Sequence, residues 1–257
     1  TFNGSLFLLP KDCRLTELTL EGISNIQGDF QCKDYFYVKE FVMPFIRVAG
    51  NMTIALNSGS VNTEAEIEFP NLLEIGGTLT LENNKNANNI TFPSLKKILG
   101  SCSVTTSHLK NDIEFTNLES IGTDGANAQI KFEIDGTNIL CPKLKTINGK
   151  FDITTSTVIF DMEADQVSYP NVESISENLS ITCPYSDFGS NGILSIDFSG
   201  LKSAKGISIS GQGDVTDFSS FKYLFENNVL TGESQWSVRE CAYNPTYQDM
   251  KNGKYKQ

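Results

Sequence analysis

Apolar and polar residues alternate in short bursts along most of this chain, and the bursts return at a regular interval. The clearest copies read Ile67-Glu-Phe69-Pro70-Asn-Leu72-Leu-Glu-Ile75-Gly76-Gly-Thr-Leu79-Thr-Leu81 and Ile90-Thr-Phe92-Pro93-Ser-Leu95-Lys-Lys-Ile98-Leu-Gly100-Ser-Cys102-Ser-Val104. A Leu-x-x-Ile step marks each copy: Ile23/Ile26, Phe45/Val48, Leu72/Ile75, Leu95/Ile98, Leu118/Ile121, Leu144/Ile147, Val172/Ile175 and Leu201/Ala204. Its first position recurs every 22 to 29 residues. Self-similarity at this period is the mark of a solenoid, in which each repeat is one coil that buries its apolar residues against its neighbours. Polar, turn-rich segments at 83–89, 123–128 and 154–166 absorb the variation in coil length.

Each copy holds two stretches of period-two alternation, the pattern of a half-buried strand. One precedes the Phe-Pro step: Ile67/Phe69, Ile90/Phe92, Ile113/Phe115, Ile139/Cys141, Val167/Tyr169 and Ile196/Phe198. The other follows the Gly: Phe30/Cys32, Met52/Ile54, Leu79/Leu81, Cys102/Val104, Phe132/Ile134, Phe151/Ile153, Leu179/Ile181 and Ile207/Ile209. Stacked coils bring equivalent strands about 4.8 Å apart in parallel sheets. The Phe positions then form an internal aromatic ladder. Proline suits the corner where a strand ends, since it cannot donate to a sheet. Gly76, Gly100, Gly122 and Gly149 suit the next corner, where positive φ or close backbone approach is needed.

The pattern therefore predicts a mainly β chain: a right-handed parallel β-helix of about eight coils in a single domain spanning 1–257. Residues 1–17, with Phe2, Leu6, Phe7, Leu8 and Leu9, form an N-terminal cap, and 18–210 form the repeats. Residues 211–257 form a C-terminal cap and tail, where Phe218, Phe221, Leu224 and Phe225 have helical spacing. Thr246 and Asp249 have the spacing of a capping box, and Gly253 that of a helix stop.

The Phe-Pro-x-Leu-x-x-Ile-x-Gly coil resembles the receptor L domain, the leucine-rich β-helix of the insulin and EGF receptor ectodomains. It is also similar to coils of fungal cell-wall proteins and of bacterial surface leucine-rich proteins. The resemblance covers 18–210. The Leu-rich consensus with an Asn ladder that marks horseshoe-shaped repeats is absent, which favours the β-helix. The tail Tyr243-Asn-Pro245-Thr-x-x-Asp249-Met250-x-x-Gly253-x-Tyr255 resembles that of surface proteins from gut anaerobic bacteria, and reads equally as a cap. The resemblance implies an extracellular or cell-surface chain, anchored to the outer membrane if bacterial, whose partner is an extracellular protein or glycan.

Composition narrows the partner class. The 257 residues carry a formal net charge of −11, with no dense basic cluster. Nucleic-acid binding relies on Lys and Arg neutralising phosphates, so this balance argues against it. No apolar run reaches the ~18 residues of a spanning helix. The opening Thr1-Phe2-Asn3 reads as a processed start, which would place any export signal or lipid anchor upstream.

Six cysteines are compatible with disulfides in an exported chain. The repeat register offers a different reading: Cys32 and Cys102 take inward aliphatic positions and Cys141 takes a ladder position, as buried apolar thiols do. A Cys13–Cys32 staple for the N-terminal cap stays open, and Cys183 and Cys241 are unassigned. Asn3, Asn51, Asn89 and Asn178 each open an Asn-x-Ser/Thr triplet, either a glycan acceptor or a product of composition.

Candidate chemistry is sparse. The lone histidine, His108, leaves no set for a His-based zinc site or a Ser-His-Asp triad. No Gly-rich phosphate loop occurs. Paired carboxylates are the strongest enzymatic signal, because glycosidases work with two acids around one sugar. Glu133 and Asp152 fall on outward positions of neighbouring coils and stack if Phe132 aligns with Phe151. The alternating acids Asp161, Glu163 and Asp165 have a spacing that can hold Ca²⁺, without the Gly turn of a known loop. Tyr35, Phe36 and Tyr37 concentrate aromatics in an early coil, and Tyr185, Phe188, Tyr223 and Trp236 also fall outside the ladder; exposed aromatics serve recognition. The resulting expectation is a non-catalytic binding or adhesion module that uses Tyr35, Phe36, Tyr37, Glu133 and Asp152, with no cofactor or metal. A carbohydrate-active β-helix enzyme and a purely structural envelope protein are the alternatives.

Overall fold

A computed structural model describes residues 1–9, 14–33, 37–56, 65–84, 87–106, 109–125, 127–135, 137–155, 166–183, 195–213 and 215–257. The chain is a parallel β-solenoid. Three sheets run along it. A long sheet of ten strands extends from Leu6–Leu8 to Trp236–Cys241. A second sheet of six strands extends from Glu17–Thr19 to Ile139–Leu140. After a break, the pair Gln166–Ser168 and Ser195–Asp197 follows on. A narrow sheet has seven strands, from Asn25–Ile26 to Ser174–Ile175. The narrow strands span two residues each and coincide with the end of the Leu-x-x-Ile step. They are too short for period-two alternation to show, so the sequence pattern predicts only two strands per coil.

One coil illustrates the path. Ala65–Glu68 lies in the second sheet, Pro70 turns the corner, Glu74–Ile75 lies in the narrow sheet, and Gly76-Gly77 leads into Leu79–Leu81 of the long sheet. Proline corners leave carbonyls that no strand can satisfy, and polar residues of the next coil meet them. Ser94 Oγ donates to Pro70 O (2.6 Å), Asn117 Nδ2 to Pro93 O (2.5 Å) and Asn171 Nδ2 to Pro142 O (2.8 Å). The glycine corners are needed for two different reasons. Gly122 has φ +81°. Gly149 has an ordinary φ, but a Cβ there would lie 2.0 Å from Ala128 O, so only glycine lets the coils approach.

The interior is a set of columns. Leu72, Leu95, Leu118, Leu144 and Leu201 are wholly buried, as are Ile75, Ile98, Ile121 and Ile147. The aromatic ladder forms as the sequence predicts: Phe69 stacks on Phe92 at 5.0 Å and Phe92 on Phe115 at 5.1 Å between ring centroids. At Cys141 the ladder loses its ring, and the long sheet supplies bulk instead. Phe132 and Phe151 reach inward to within 6.0 and 5.5 Å of the Tyr169 ring. Large and small residues thus alternate between facing sheets, which keeps the core filled at constant cross-section. Tyr169 also mends the break in the second sheet: its buried hydroxyl donates to Ile139 O at 3.1 Å, where the next strand does not pair.

The two ends differ. At the N-terminus, Leu6–Leu8 pairs in parallel with Phe30–Lys33, and Phe2 bridges Ile26, so the cap is a partial coil. Its Leu6 and Leu8 are half-buried, while Phe7, Leu9 and Leu15 are exposed. The C-terminal end is closed. A 3-10 turn (Ser219–Phe221) and a helix (Lys222–Glu226) place Phe218, Phe221, Leu224 and Phe225 over the last coil, all buried. The long sheet also continues past residue 210, where the repeats are expected to stop: Gly206–Gly213 pairs with Trp236–Cys241. Trp236, which the sequence places outside the aromatic ladder, is 5% exposed and packs edge-on against Phe221 and Phe225. The C-terminal motif is spent on closing this end. Trp236 Nε1 donates to Pro245 O (2.8 Å), Tyr243 Oη to Lys254 O (2.9 Å) and Tyr247 Oη to Leu230 O (3.1 Å). Thr246 and Asp249 form the expected capping box at the helix Tyr247–Lys251.

Replacing Phe92 with Ala removes a ring stacked on both sides and should lower unfolding free energy by about 3–5 kcal/mol. Tyr169→Phe leaves the Ile139 carbonyl buried without its donor and should lower it by about 1–3 kcal/mol. Urea denaturation checks both, and a larger loss for Tyr169→Phe than for Phe92→Ala would contradict the packing hierarchy.

Candidate functional site

The outward face of the long sheet carries Glu133 and Asp152, and the register separates them. Ile130 lies opposite Phe151, and Phe132 opposite Ile153, so the expected alignment of Phe132 with Phe151 is corrected by two residues. Asp152 therefore faces Lys131, and Glu133 faces Thr154. The cause is the seven-residue strand Ala128–Ile134, which starts four residues before Phe132, whereas its partner Gly149–Thr155 starts only two before Phe151. Each carboxylate has a lysine beside it. Glu133 pairs with Lys131 on its own strand and accepts from Thr105 Oγ1 at 2.9 Å; Asp152 pairs with Lys150 at 2.9 Å. The Lys131 ammonium, helped by Thr105, holds the Glu133 carboxyl below its usual range. Two carboxylates sharing a proton would require mutual repulsion, and this arrangement neutralises each acid separately.

The other predicted residues fare unevenly. Tyr37 is half-buried with the Arg14 guanidinium 5.9 Å above its ring. Tyr35, Phe36, Tyr185, Phe188, His108 and the acidic loop Asp161, Glu163 and Asp165 lie outside the described residues. Cys32, Cys102, Cys141 and Cys183 are buried free thiols. Cys32 thus makes no staple; its intended partner Cys13 is not among the described residues. Burial pushes the Cys32, Cys102 and Cys141 thiols upward, and Cys241, half-exposed, is pushed up to about 11 by burial and by Glu240. Two of the Asn-x-Ser/Thr side chains are tied into inter-coil bonds: Asn51 donates to Asp29 (3.2 Å), and Asn89 to Glu66 (2.7 Å). Among the described residues, no three His, Cys, Asp or Glu side chains are grouped to hold a metal.

Two clefts stand out. One, of about 480 Å³, lies between Ser195–Ser199 and Val215–Lys222 at the closed end. Its acids serve local turns: Asp197 accepts from Ser199 N (2.9 Å) and Asp217 from Ser219 N (2.7 Å).

The other cleft, of about 690 Å³, lies on the outward face of the second sheet and was not singled out by sequence. Asn89, Thr91, Lys110, Asn111, Asp112, Glu114 and Thr137 line it. Thr91 and Glu114 are cross-strand neighbours on adjacent coils. Asn111 Nδ2 donates to Asn88 O (3.0 Å) and to Asn89 Oδ1 (3.2 Å), and Asp112 accepts from Asn138 N (2.6 Å). The outward alternation gave each side chain its face, but the cleft depends on coils separated by more than twenty residues coming together.

No family model, curated protein or solved structure matches this chain. The fold places it among parallel β-solenoids.

Removing the lysine partner should release the acid. In Lys131→Ala, the Glu133 carboxyl should titrate at higher pH than in the parent chain, measured by NMR. Because its folded value is lowered, the stability it contributes is present above the unfolded value and lost as pH falls through the folded one. An unmoved Glu133 titration would show that Lys131 is not the cause. In the native chain, Cys32, Cys102 and Cys141 should resist a thiol reagent that labels them after denaturation.

Proposed function

We propose that this chain is a non-catalytic binding module of the cell surface or extracellular space, presenting rigid sheet faces to a protein or glycan. The observation that carries this reading is the charge pairing on the long sheet. Its two best-placed acids are each matched with a lysine and set out of register with one another, an arrangement suited to a stable, hydrated surface rather than to acid–base chemistry. Around them, Thr53, Thr80, Ser103, Ser180 and Ser208 continue one outward column of short polar side chains at strand spacing. Parallel solenoids offer such extended surfaces because each coil adds one more copy of the same face.

The localisation and any bacterial origin rest on the repeat's resemblance to surface proteins. The net charge of −11 supports partners other than nucleic acid.

Screening the immobilised chain against a glycan array and a panel of extracellular proteins should give at least one saturable ligand, bound without turnover. Negative results on both supports would favour the structural-envelope reading. Release of shortened sugars from a bound glycan would favour the enzyme.

A further inference from the structure

We propose that the cleft of the second sheet is a binding subsite for an uncharged sugar, with Thr91 and Glu114 as its principal contacts. This rests on the binding-module reading and goes beyond it by naming the face and the ligand chemistry.

The cleft joins donors and acceptors in one concave surface. Asn89 and Asn111 bring carboxamides, Lys110 an ammonium, Thr91 and Thr137 hydroxyls, and Asp112 and Glu114 carboxylates. A polyhydroxylated ring needs this mixture, because every sugar hydroxyl both donates and accepts. The Thr91 hydroxyl and the Glu114 carboxylate bond to no other described residue. They point outward from paired strands, and strand spacing of about 4.8 Å separates them by roughly the width of one sugar ring. Thr137 closes one side of the cleft.

The lining also argues against other occupants. Among the described residues it contains no aromatic side chain and no arginine, the side chains that dominate protein–protein hot spots. The same outward columns continue through Glu66 and Glu68, so acids outnumber the single lysine around the cleft. A uronate or sulfated sugar would meet that charge unfavourably. The exposed Leu140 lies opposite Glu114 on the next strand and offers an apolar edge for the C–H face of a ring.

Calorimetry with cellobiose, lactose and mannobiose, and with digalacturonate as the charged counterpart, tests the assignment. At least one neutral disaccharide should bind. The double variant Thr91→Val/Glu114→Gln should weaken it by about tenfold or more, the loss of one or two hydrogen bonds. Digalacturonate should bind at least about tenfold more weakly than the neutral sugar. The pair Glu173→Ala/Lys202→Ala, an exposed ion pair outside the cleft lining, should leave affinity unchanged. Glu114→Gln alone, a surface change of nearly equal size, gives the same reading if the double variant is unstable. Binding that survives both cleft variants, equal binding of digalacturonate, or no binding of the three neutral sugars overturns the proposal. If the array meanwhile yields a protein ligand, or a sugar whose binding the cleft variants leave intact, the binding-module reading stands without this subsite. If nothing binds in either experiment, both fall.

Discussion

Parallel stacking fixes almost everything else in this molecule. Each coil hydrogen-bonds to the next through sheets that all run the same way, so a side chain lies directly over its equivalent one strand away. Inward columns must then keep a constant total volume, and outward columns must tolerate their own repetition. The stacked Phe69, Phe92 and Phe115 meet the first demand, and the exchange of bulk from Cys141 to Phe132 and Phe151 meets it where the ladder fails.

The second demand explains the surface. Glu119, Lys145, Glu173 and Lys202 follow one another along the stack, linked by Lys145 N→Glu119 O (3.0 Å), Glu173 N→Lys145 O (2.8 Å) and Lys202 N→Glu173 O (2.8 Å). Charge alternates in that column, and Lys202 pairs with Glu173 at 2.8 Å in an exposed ion pair that solvent and salt screen. On the second sheet, Glu17, Glu40 and Glu66 repeat the same sign, and Asn88 and Asn89 donate to the last of them. Repetition of this kind makes a face either self-neutralised or uniformly charged. The polar cleft lies where the acidic column gives way to asparagine and threonine.

Much of this was legible beforehand. Burial of Phe92, Leu95 and Ile98, the corners at Pro93 and Gly100, and the helical cap at Phe221, Leu224 and Phe225 all follow from local pattern, because each depends on residues within one coil. The candidate site was less legible. The sequence shows Trp236 only as an aromatic outside the ladder, because its core partners, Phe218, Phe221 and Phe225, come from a separate capping segment. The cleft lining comes from three successive coils, and no short window of sequence contains it.

The sequence by itself determined the solenoid, the inward or outward face of each strand residue, and the capping of the C-terminal end. Those properties follow from periodicity and from the conformational limits of proline and glycine. Only the tertiary structure decided which outward residues are neighbours. A period of two distinguishes the faces of a strand but is blind to a slip of two residues, which leaves every face unchanged. The start of Ala128–Ile134 makes that slip, so Asp152 meets Lys131 instead of Glu133, and an apparent acid pair becomes two separate ion pairs.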